Sequence, residues 1–150
     1  MNIMRKYQHR QQGAALIELA LSIPFMIMLS MIVIEFGRAL YEYNTVTKSV
    51  RDAVRYLSAN TPNTLCPDAQ NLVVYGTTTA GSQPLAPGLK TSAVSCSWQT
   101  TGALPLINTV TVTVTGYHFT SPISSLFGLQ LFTNGGINFG NITATMRTLT

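Results

Sequence analysis

The sequence predicts an α+β fold in which a long N-terminal helix crosses a membrane and a small antiparallel β-sheet domain follows it. Three observations support this prediction. Residues 14–34 contain one charged side chain, a helical pattern continues from there to residue 60, and residues 61–150 turn to Thr, Ser, Gly and β-branched residues. A chain of 150 residues holds one modest domain beside such a helix, and not two full domains.

Residues 1–13 form a short basic leader that ends at Gly13. Its basic residues, Arg5, Lys6 and Arg10, favour a cytoplasmic N terminus by the positive-inside rule. Basic residues also follow the span, so charge alone does not decide the orientation. The net charge of +4 comes mostly from the leader, since six basic and five acidic residues remain without it. We therefore expect no binding to nucleic acid, which needs a basic face.

Residues 14–34 form the predicted membrane span. As a helix they are about 31 Å long, which matches a hydrocarbon core of roughly 30 Å. Their single charge is Glu18, and a carboxylate at the centre of a span costs about 2.5–3.5 kcal/mol on insertion scales. We therefore expect Glu18 to have a function. A secretory signal would end in a small-residue cleavage site after the apolar run, whereas here the small residue, Gly13, precedes it.

Residues 35–60 are predicted to continue the helix as an amphipathic segment. The apolar side chains that recur every seven residues, and form the predicted packing surface, are Phe36, Tyr43, Val50 and Leu57. Charged residues fill much of the remaining surface. This stripe has two open interpretations, because it can pack against the protein's own distal domain or against neighbouring subunits. The pattern ends before Pro62, since a proline disfavours helix at the residue before it.

Residues 61–150 are predicted to be a β-rich domain. Residues 108–115 alternate strictly between threonine and valine after Asn108 and are the clearest strand. Residues 93–98 and 142–148 alternate more weakly, and residues 72–75 are a short candidate strand. Residues 122–128 fit either a helical turn or an irregular return leg. We expect the strands to form a small antiparallel sheet on the outer half of the helix.

The two cysteines, Cys66 and Cys96, both follow the span and are flanked by turn-forming residues. This pattern suits a disulfide in an oxidising compartment, and two unpaired thiols are the alternative. Closing a loop of this size would add roughly 3–4 kcal/mol of stability in the chain-entropy model. Two cysteines without a close spacing do not supply the four ligands of a structural zinc site, so we expect no metal.

Groups that catalyse reactions are scarce in the distal part. Between residues 61 and 150 the charged or imidazole side chains are Asp68, Lys90, His118 and Arg147. Acid/base or nucleophilic chemistry needs several such groups in one pocket. The sequence also has no phosphate-binding loop and no zinc-protease or nucleophile-elbow motif. We therefore expect neither an enzyme nor a cofactor.

Residues 13–57 together resemble the TadE-like minor pilins, or pseudopilins, of tight-adherence (Flp) pili. The residues that carry the resemblance are Gly13, Glu18, Pro24, the 36–40 stretch Phe-Gly-Arg-Ala-Leu, Tyr43-Asn44 and residues 51–55. Leu19 follows Glu18 where the Flp motif commonly has an aromatic residue. The resemblance implies a pilin-like fold. It covers about 45 residues strongly, and the distal strands agree more loosely.

The resemblance also implies a function and partners. A prepilin peptidase would cut after Gly13 on the cytoplasmic side of the bacterial inner membrane, so that Ala14 bears the new amine. Glu18 would pair with such an amine on a neighbouring subunit. The partners would be other major and minor pilins and the inner-membrane assembly platform. The distal domain would be periplasmic at first and would later lie on the pilus at the cell surface, where it serves attachment.

Two other functions stay open at this stage. The first is an uncleaved, single-pass anchor that carries a periplasmic binding module. The second is a membrane-tethered enzyme that uses His118 or Asp68. The size of the distal part points to a minor subunit, because major Flp pilins are very short and lack a sizeable globular part.

Overall fold

In the computed structural model, the described residues are 3–123, 125–126 and 128–149. The chain begins with the long helix α1, Ile3–Ser58, and the shorter helix α2, Cys66–Tyr75. Seven strands follow in chain order: β1 Val94–Thr101, β2 Ile107–Val114, β3 His118–Thr120, β4 Ser125–Leu126, β5 Leu129–Gln130, β6 Gly136–Asn138 and β7 Ile142–Arg147. Short 3₁₀ helices lie at Thr91–Ala93 and Thr133–Gly135. The predicted α+β class is thus confirmed.

The helix α1 is longer than the sequence predicted. It spans 56 residues and ends at Ser58, close to the predicted end, but it begins inside the leader and not after Gly13. The leader has no proline, and its Met, Arg, Lys and Gln residues are good helix formers. A glycine inside a helix costs about 1 kcal/mol relative to alanine, which is too little to end a helix supported on both sides. Gly13 therefore lies within α1.

The main sheet is antiparallel and has the order β1-β2-β7. The central strand β2 pairs Val112 with Cys96 on one side and with Ala144 on the other. The three valines of β2 are fully buried on the inner face, and its threonines lie on the outer face. The three strands predicted from alternation, near residues 93–98, 108–115 and 142–148, are therefore confirmed.

The predicted short strand at residues 72–75 is wrong, because these residues are the last turn of α2. Pro67 occupies the first turn, where a proline is well tolerated, and Ala69, Val73 and Val74 are buried at helical spacing. Gly76 ends the helix in a left-handed conformation, with φ +77°, and donates its N–H to the Leu72 carbonyl. Four apolar residues in sequence are too few to distinguish a strand from a helix turn.

The segment at residues 122–128 also differs from both predicted alternatives. Its described part contains β4, which pairs antiparallel with β5 as a small hairpin. Gly128 lies in the turn at φ +79°, a left-handed value that favours glycine. A second small ladder joins β3 to β6, which begins at Gly136 directly after the 3₁₀ helix Thr133–Gly135.

The core lies between the C-terminal half of α1, helix α2 and the inner face of the main sheet. Its fully buried members include Val46, Val50, Ala53, Val54 and Leu57 of α1, Val73 and Val74 of α2, and Val110, Val112 and Val114 of β2. The N-terminal half of α1 projects away from this core. The sheet therefore packs on the outer half of the helix, as predicted.

Candidate functional site

The residues of the predicted processing and assembly site lie on the uncovered part of α1. Gly13, Ala14 and Glu18 are all exposed, and Glu18 is about 7.5 Å from Gly13 along the helix axis. The space beside the Gly13 Cα is open. The Ser22 hydroxyl donates to the backbone carbonyl of Glu18 at 2.8 Å. Among the side chains described from residue 13 onward, none pairs with the Glu18 carboxylate.

The apolar surface around this site is exposed from Gly13 to Ile27, and farther along α1 the side chains of Met28, Met31 and Ile32 are partly covered. Large side chains from Leu16 to Ile34 are mostly 43–70% exposed. The part of α1 from Gly13 to Ser58 contains a stretch long and apolar enough to cross a membrane. A helix that is apolar all round needs a lipid or protein environment on all its faces. The fold is therefore compatible with membrane anchoring through this helix.

The predicted packing stripe is buried to different degrees along its length. Val50 and Leu57 are fully buried in the core, whereas Phe36 is 51% exposed and Tyr43 is 38% exposed. Phe36 still contacts the distal domain, with its ring centroid 6.0 Å from that of Phe132. The Tyr43 ring lies 5.3 Å from Phe139. The stripe thus contacts the protein's own domain, and its first half keeps free surface.

A polar cluster lies on α1 just after the apolar stretch, and the sequence analysis did not find it. Glu35 and Glu42 are buried, at 2% and 8% exposure, although we had expected them on the polar face. Arg38 lies between them, with Nη1 3.1 Å from Glu35 Oε1 and Nη2 3.7 Å from Glu42 Oε1. The two carboxylates are seven residues apart and share the buried face with Ala39 and Val46. The seven-residue spacing of the two glutamates was the sequence signal that could have placed both on the buried face of the helix.

The strand β3 and the residues around it complete this cluster. The Ser121 hydroxyl donates to Glu35 Oε2 at 2.8 Å, and the Tyr117 hydroxyl donates to Glu42 Oε2 at 2.7 Å. The Arg38 guanidinium lies 5.5 Å from the centre of the Phe119 ring. Burial raises the pKa of Tyr117 well above its usual value, and the hydrogen bond to Glu42 and that residue's charge raise it further. The cluster therefore fixes the distal domain to α1 next to the apolar stretch.

The two cysteines form a disulfide that joins the first residue of α2 to β1, with a Cα–Cα distance of 6.1 Å. This confirms the pairing of Cys66 with Cys96. The disulfide closes the segment that carries α2 and the loop before the sheet. It therefore ties together α2 and the main sheet, which both pack on the outer half of α1.

The structure does not bring the candidate catalytic residues into one site. His118 lies on β3, and its Nδ1 is 2.7 Å from Asn138 Oδ1. Asp68 lies on α2 and accepts a hydrogen bond of 3.4 Å from the Tyr56 hydroxyl. Within the described part of the chain, no group of three His, Cys, Asp or Glu side chains is arranged to hold a metal.

Comparison with known proteins gives one match. Residues 13–55 match the model of a family described as TadE-like protein. No curated protein and no solved structure matches the chain. The matched residues all belong to α1 and include both the exposed Glu18 and the Glu35–Arg38–Glu42 cluster. The family match therefore confirms the predicted resemblance: over residues 13–55, this chain is similar to the TadE-like proteins.

Proposed function

We propose that this protein is a minor pilin of a Tad-type pilus. The precursor is held in the inner membrane by α1, a prepilin peptidase cleaves it after Gly13, and the mature subunit joins other pilins to start or build an attachment filament. The observation that carries this proposal is the TadE-like segment, which coincides with a helix whose first half is apolar and largely exposed.

The position of Gly13 supports cleavage at this site. The residue is exposed, and its small size leaves the backbone accessible from the side. A peptidase needs an extended substrate, so the first turns of α1 must open locally before cleavage. Gly13 favours this opening, because glycine weakens a helix by about 1 kcal/mol relative to alanine. Cleavage then leaves the amine on Ala14, at the end of the apolar helix.

The state of Glu18 supports its role in assembly. Its carboxylate is exposed on a surface that must become covered when subunits pack. A buried carboxylate is tolerated only with a cationic partner and hydrogen bonds. The amine of Ala14 on a neighbouring subunit supplies that cation, and the pairing fixes the axial position of one helix against the next. The apolar contacts alone would leave this position undefined, because they are non-directional.

The distal domain supports a structural role. The outer face of the main sheet presents threonine hydroxyls, of which Thr111 and Thr145 pair across strands at 2.8 Å. This face carries one charged side chain, Arg147, beside its hydroxyl-bearing residues, and such a surface suits contact with other pilins. The bacterial inner membrane holds the precursor with its N terminus in the cytoplasm, and the assembly platform then moves the subunit into the filament.

The first test is the N-terminal sequence and intact mass of the protein extracted from membranes of its host. A pilin precursor yields a mature chain that begins at Ala14. A chain that still begins near Met1, in cells with an active prepilin peptidase, would contradict the proposal and leave an uncleaved anchor that carries a binding domain.

The second test separates assembly from folding. Glu18→Ala should abolish incorporation into filaments while the unfolding midpoint of the distal domain stays unchanged. Leu21→Ala is the matched control, because it removes an exposed apolar side chain from the same helix and keeps Glu18. Normal filaments with Glu18→Ala would overturn the assembly role. An enzymatic activity that is abolished by His118→Ala or Asp68→Ala would favour the tethered enzyme.

A further inference from the structure

The distal domain reaches down beside the apolar half of α1. Ser121 contacts Glu35 at 2.8 Å. Farther toward the N terminus of the helix, Leu129 of β5 lines a cavity of about 190 Å³ together with Pro24, Phe25 and Met28. A helix rises 1.5 Å per residue, so Leu129 lies roughly 10–16 Å from Glu35 along the α1 axis. The β4–β5 hairpin is thus beside residues that the sequence predicts to be within the membrane.

The composition of this part of the chain suits contact with a membrane. Residues 119–146 contain no charged side chain, although they lie in a domain outside the predicted span. A charge is costly at membrane depth, whereas neutral polar and apolar residues are tolerated at its surface. Leu129 is 55% exposed, and the residues of its partner strand β4, Ser125–Leu126, are uncharged.

The backbone of the hairpin limits how deep it can lie. A two-stranded hairpin has unpaired N–H and C=O groups on its outer edges, and such edges are excluded from the hydrocarbon core. They are tolerated in the headgroup region, where water reaches them. If the hairpin stays beside α1, the hydrocarbon core must begin at about Met28 and not at Ile34. The apolar run below Met28 is then residues 14–28, which is about 22 Å long as a helix. A span this short is accommodated by local thinning of the bilayer and by basic side chains that snorkel to the opposite surface.

We propose that the β4–β5 hairpin is a second membrane contact, in which Leu129 inserts at the boundary between the headgroups and acyl chains of the outer leaflet. The occupant of this surface is lipid, because Phe25 and Met26 at the same height are also 67–68% exposed. Whatever covers them must surround the helix, and in the precursor the bilayer does so. This inference rests on the proposed membrane-held precursor.

The contact has a mechanical consequence for the precursor. One helix alone can rotate about its axis and move along the membrane normal. A second contact beside it fixes both, and the Glu35–Arg38–Glu42 cluster transmits this constraint to the rest of the distal domain through Ser121 and Tyr117. Extraction into a filament must then break the hairpin's lipid contact as well as withdraw the helix.

Tryptophan quenching by brominated lipids tests the proposal on the full precursor in phosphatidylcholine–phosphatidylglycerol vesicles. The wild type has one tryptophan, Trp98, on β1 of the main sheet, and it provides the background signal. The test variant is Leu129→Trp. Phe25→Trp is the control for the span, and Leu104→Trp is the control for water, since Leu104 is 91% exposed in the β1–β2 loop. Each variant changes an exposed side chain, so folding is preserved.

We expect lipid brominated near the headgroup to quench the added fluorescence of Leu129→Trp, and lipid brominated near the chain ends to quench it much less. Leu104→Trp should keep its full intensity. Quenching of Phe25→Trp without quenching of Leu129→Trp would overturn the second contact and leave the span intact. Strongest quenching of Leu129→Trp by bromine near the chain ends would overturn the boundary position. Absence of quenching in Phe25→Trp would overturn the membrane-held precursor and the hairpin contact together.

Discussion

The two halves of α1 belong to one continuous helix but differ in what stabilises them. In the C-terminal half, side chains such as Val46 and Ala53 are fully buried against the sheet and α2. In the N-terminal half, Leu21 and Val33 are 69% and 70% exposed, and the apolar residues surround the whole helix. One half is therefore held by this chain's own fold, and the other needs lipid or neighbouring helices.

The difference follows from the pattern of residues and not from their hydrophobicity. Small and β-branched residues at positions 39, 46, 50 and 53 form one buried face, which a sheet of similar width covers. Residues 14–34 have no polar face, since Glu18, Ser22 and Ser30 are their polar side chains, so no single domain can cover them. The same helix can therefore serve as a folding scaffold at one end and as an assembly surface at the other.

The largest expected effect on stability comes from truncating a leucine in the packed half of α1, compared with the same truncation in the uncovered half. Leu57→Ala should lower the free energy of unfolding of the distal domain by about 2–5 kcal/mol, because it opens a cavity among fully buried residues. Leu21→Ala should leave that free energy nearly unchanged in detergent. Chemical unfolding of the full chain, followed by near-ultraviolet circular dichroism, measures both. Equal destabilisation by the two variants would break the distinction between the halves.

The disulfide should have the next largest effect, and only on the packed half. The Cys66→Ala/Cys96→Ala double variant should lose about 3–4 kcal/mol of unfolding free energy, since the unfolded chain regains the freedom of the closed loop. Helicity of the uncovered half should persist in detergent. Reduction of the wild type is the control and should cause a similar loss. A double variant as stable as the oxidised wild type would contradict the role of this link.

The sequence predicted these two halves unequally well. Length and hydropathy suffice to predict a long apolar helix, and strict alternation suffices to predict β2, because both signals repeat over many residues. The helix at residues 66–75 was not predicted, since the four apolar residues 72–75 fit both the helical and the strand periodicity. The start of α1 was also missed, because a basic leader and a single glycine give no signal that ends a helix.

The Glu35–Arg38–Glu42 cluster shows why polar contacts are harder to predict. The residues that satisfy the two carboxylates, Ser121 and Tyr117, lie more than 70 positions later in the chain. Charge alone suggests a solvated surface, and only the tertiary fold supplies the buried partners. A function for Glu18 could be predicted without knowing its partner, because the unfavourable placement of a carboxylate among apolar residues is visible in the neighbouring sequence.

The hydrogen bond from Tyr117 to Glu42 tests how the boundary between the two halves of α1 is stabilised. Tyr117→Phe should cost about 1–3 kcal/mol of unfolding free energy, because it leaves the buried Glu42 carboxylate without its donor. The folded state also raises the Tyr117 pKa, so it holds the proton more tightly than the unfolded chain. This contribution is complete below a pH of about 10, the ordinary tyrosine value, and is lost as the pH rises above it.

The measurement is the thermal unfolding midpoint of the wild type and of Tyr117→Phe from neutral to alkaline pH. The midpoint of the wild type should fall more steeply above a pH of about 10, so that the two curves converge. The other tyrosines and the lysines are common to both proteins and cancel in the difference. Parallel curves over this range would show that Tyr117 titrates alike in the folded and unfolded chains.

The smallest effect is expected on the outer face of the sheet, which extends the comparison from the helix to the strands that cover it. Thr111→Ala removes a cross-strand contact with Thr145 and should cost about 0.2–1 kcal/mol. Val112→Ala, its neighbour on the inner face, should cost several times more, because Val112 is fully buried. A double-mutant cycle of Thr111→Ala and Thr145→Ala isolates the pair. If the outer substitution cost as much as the inner one, the threonine face would itself be part of the packed structure and would not be free to contact other pilins.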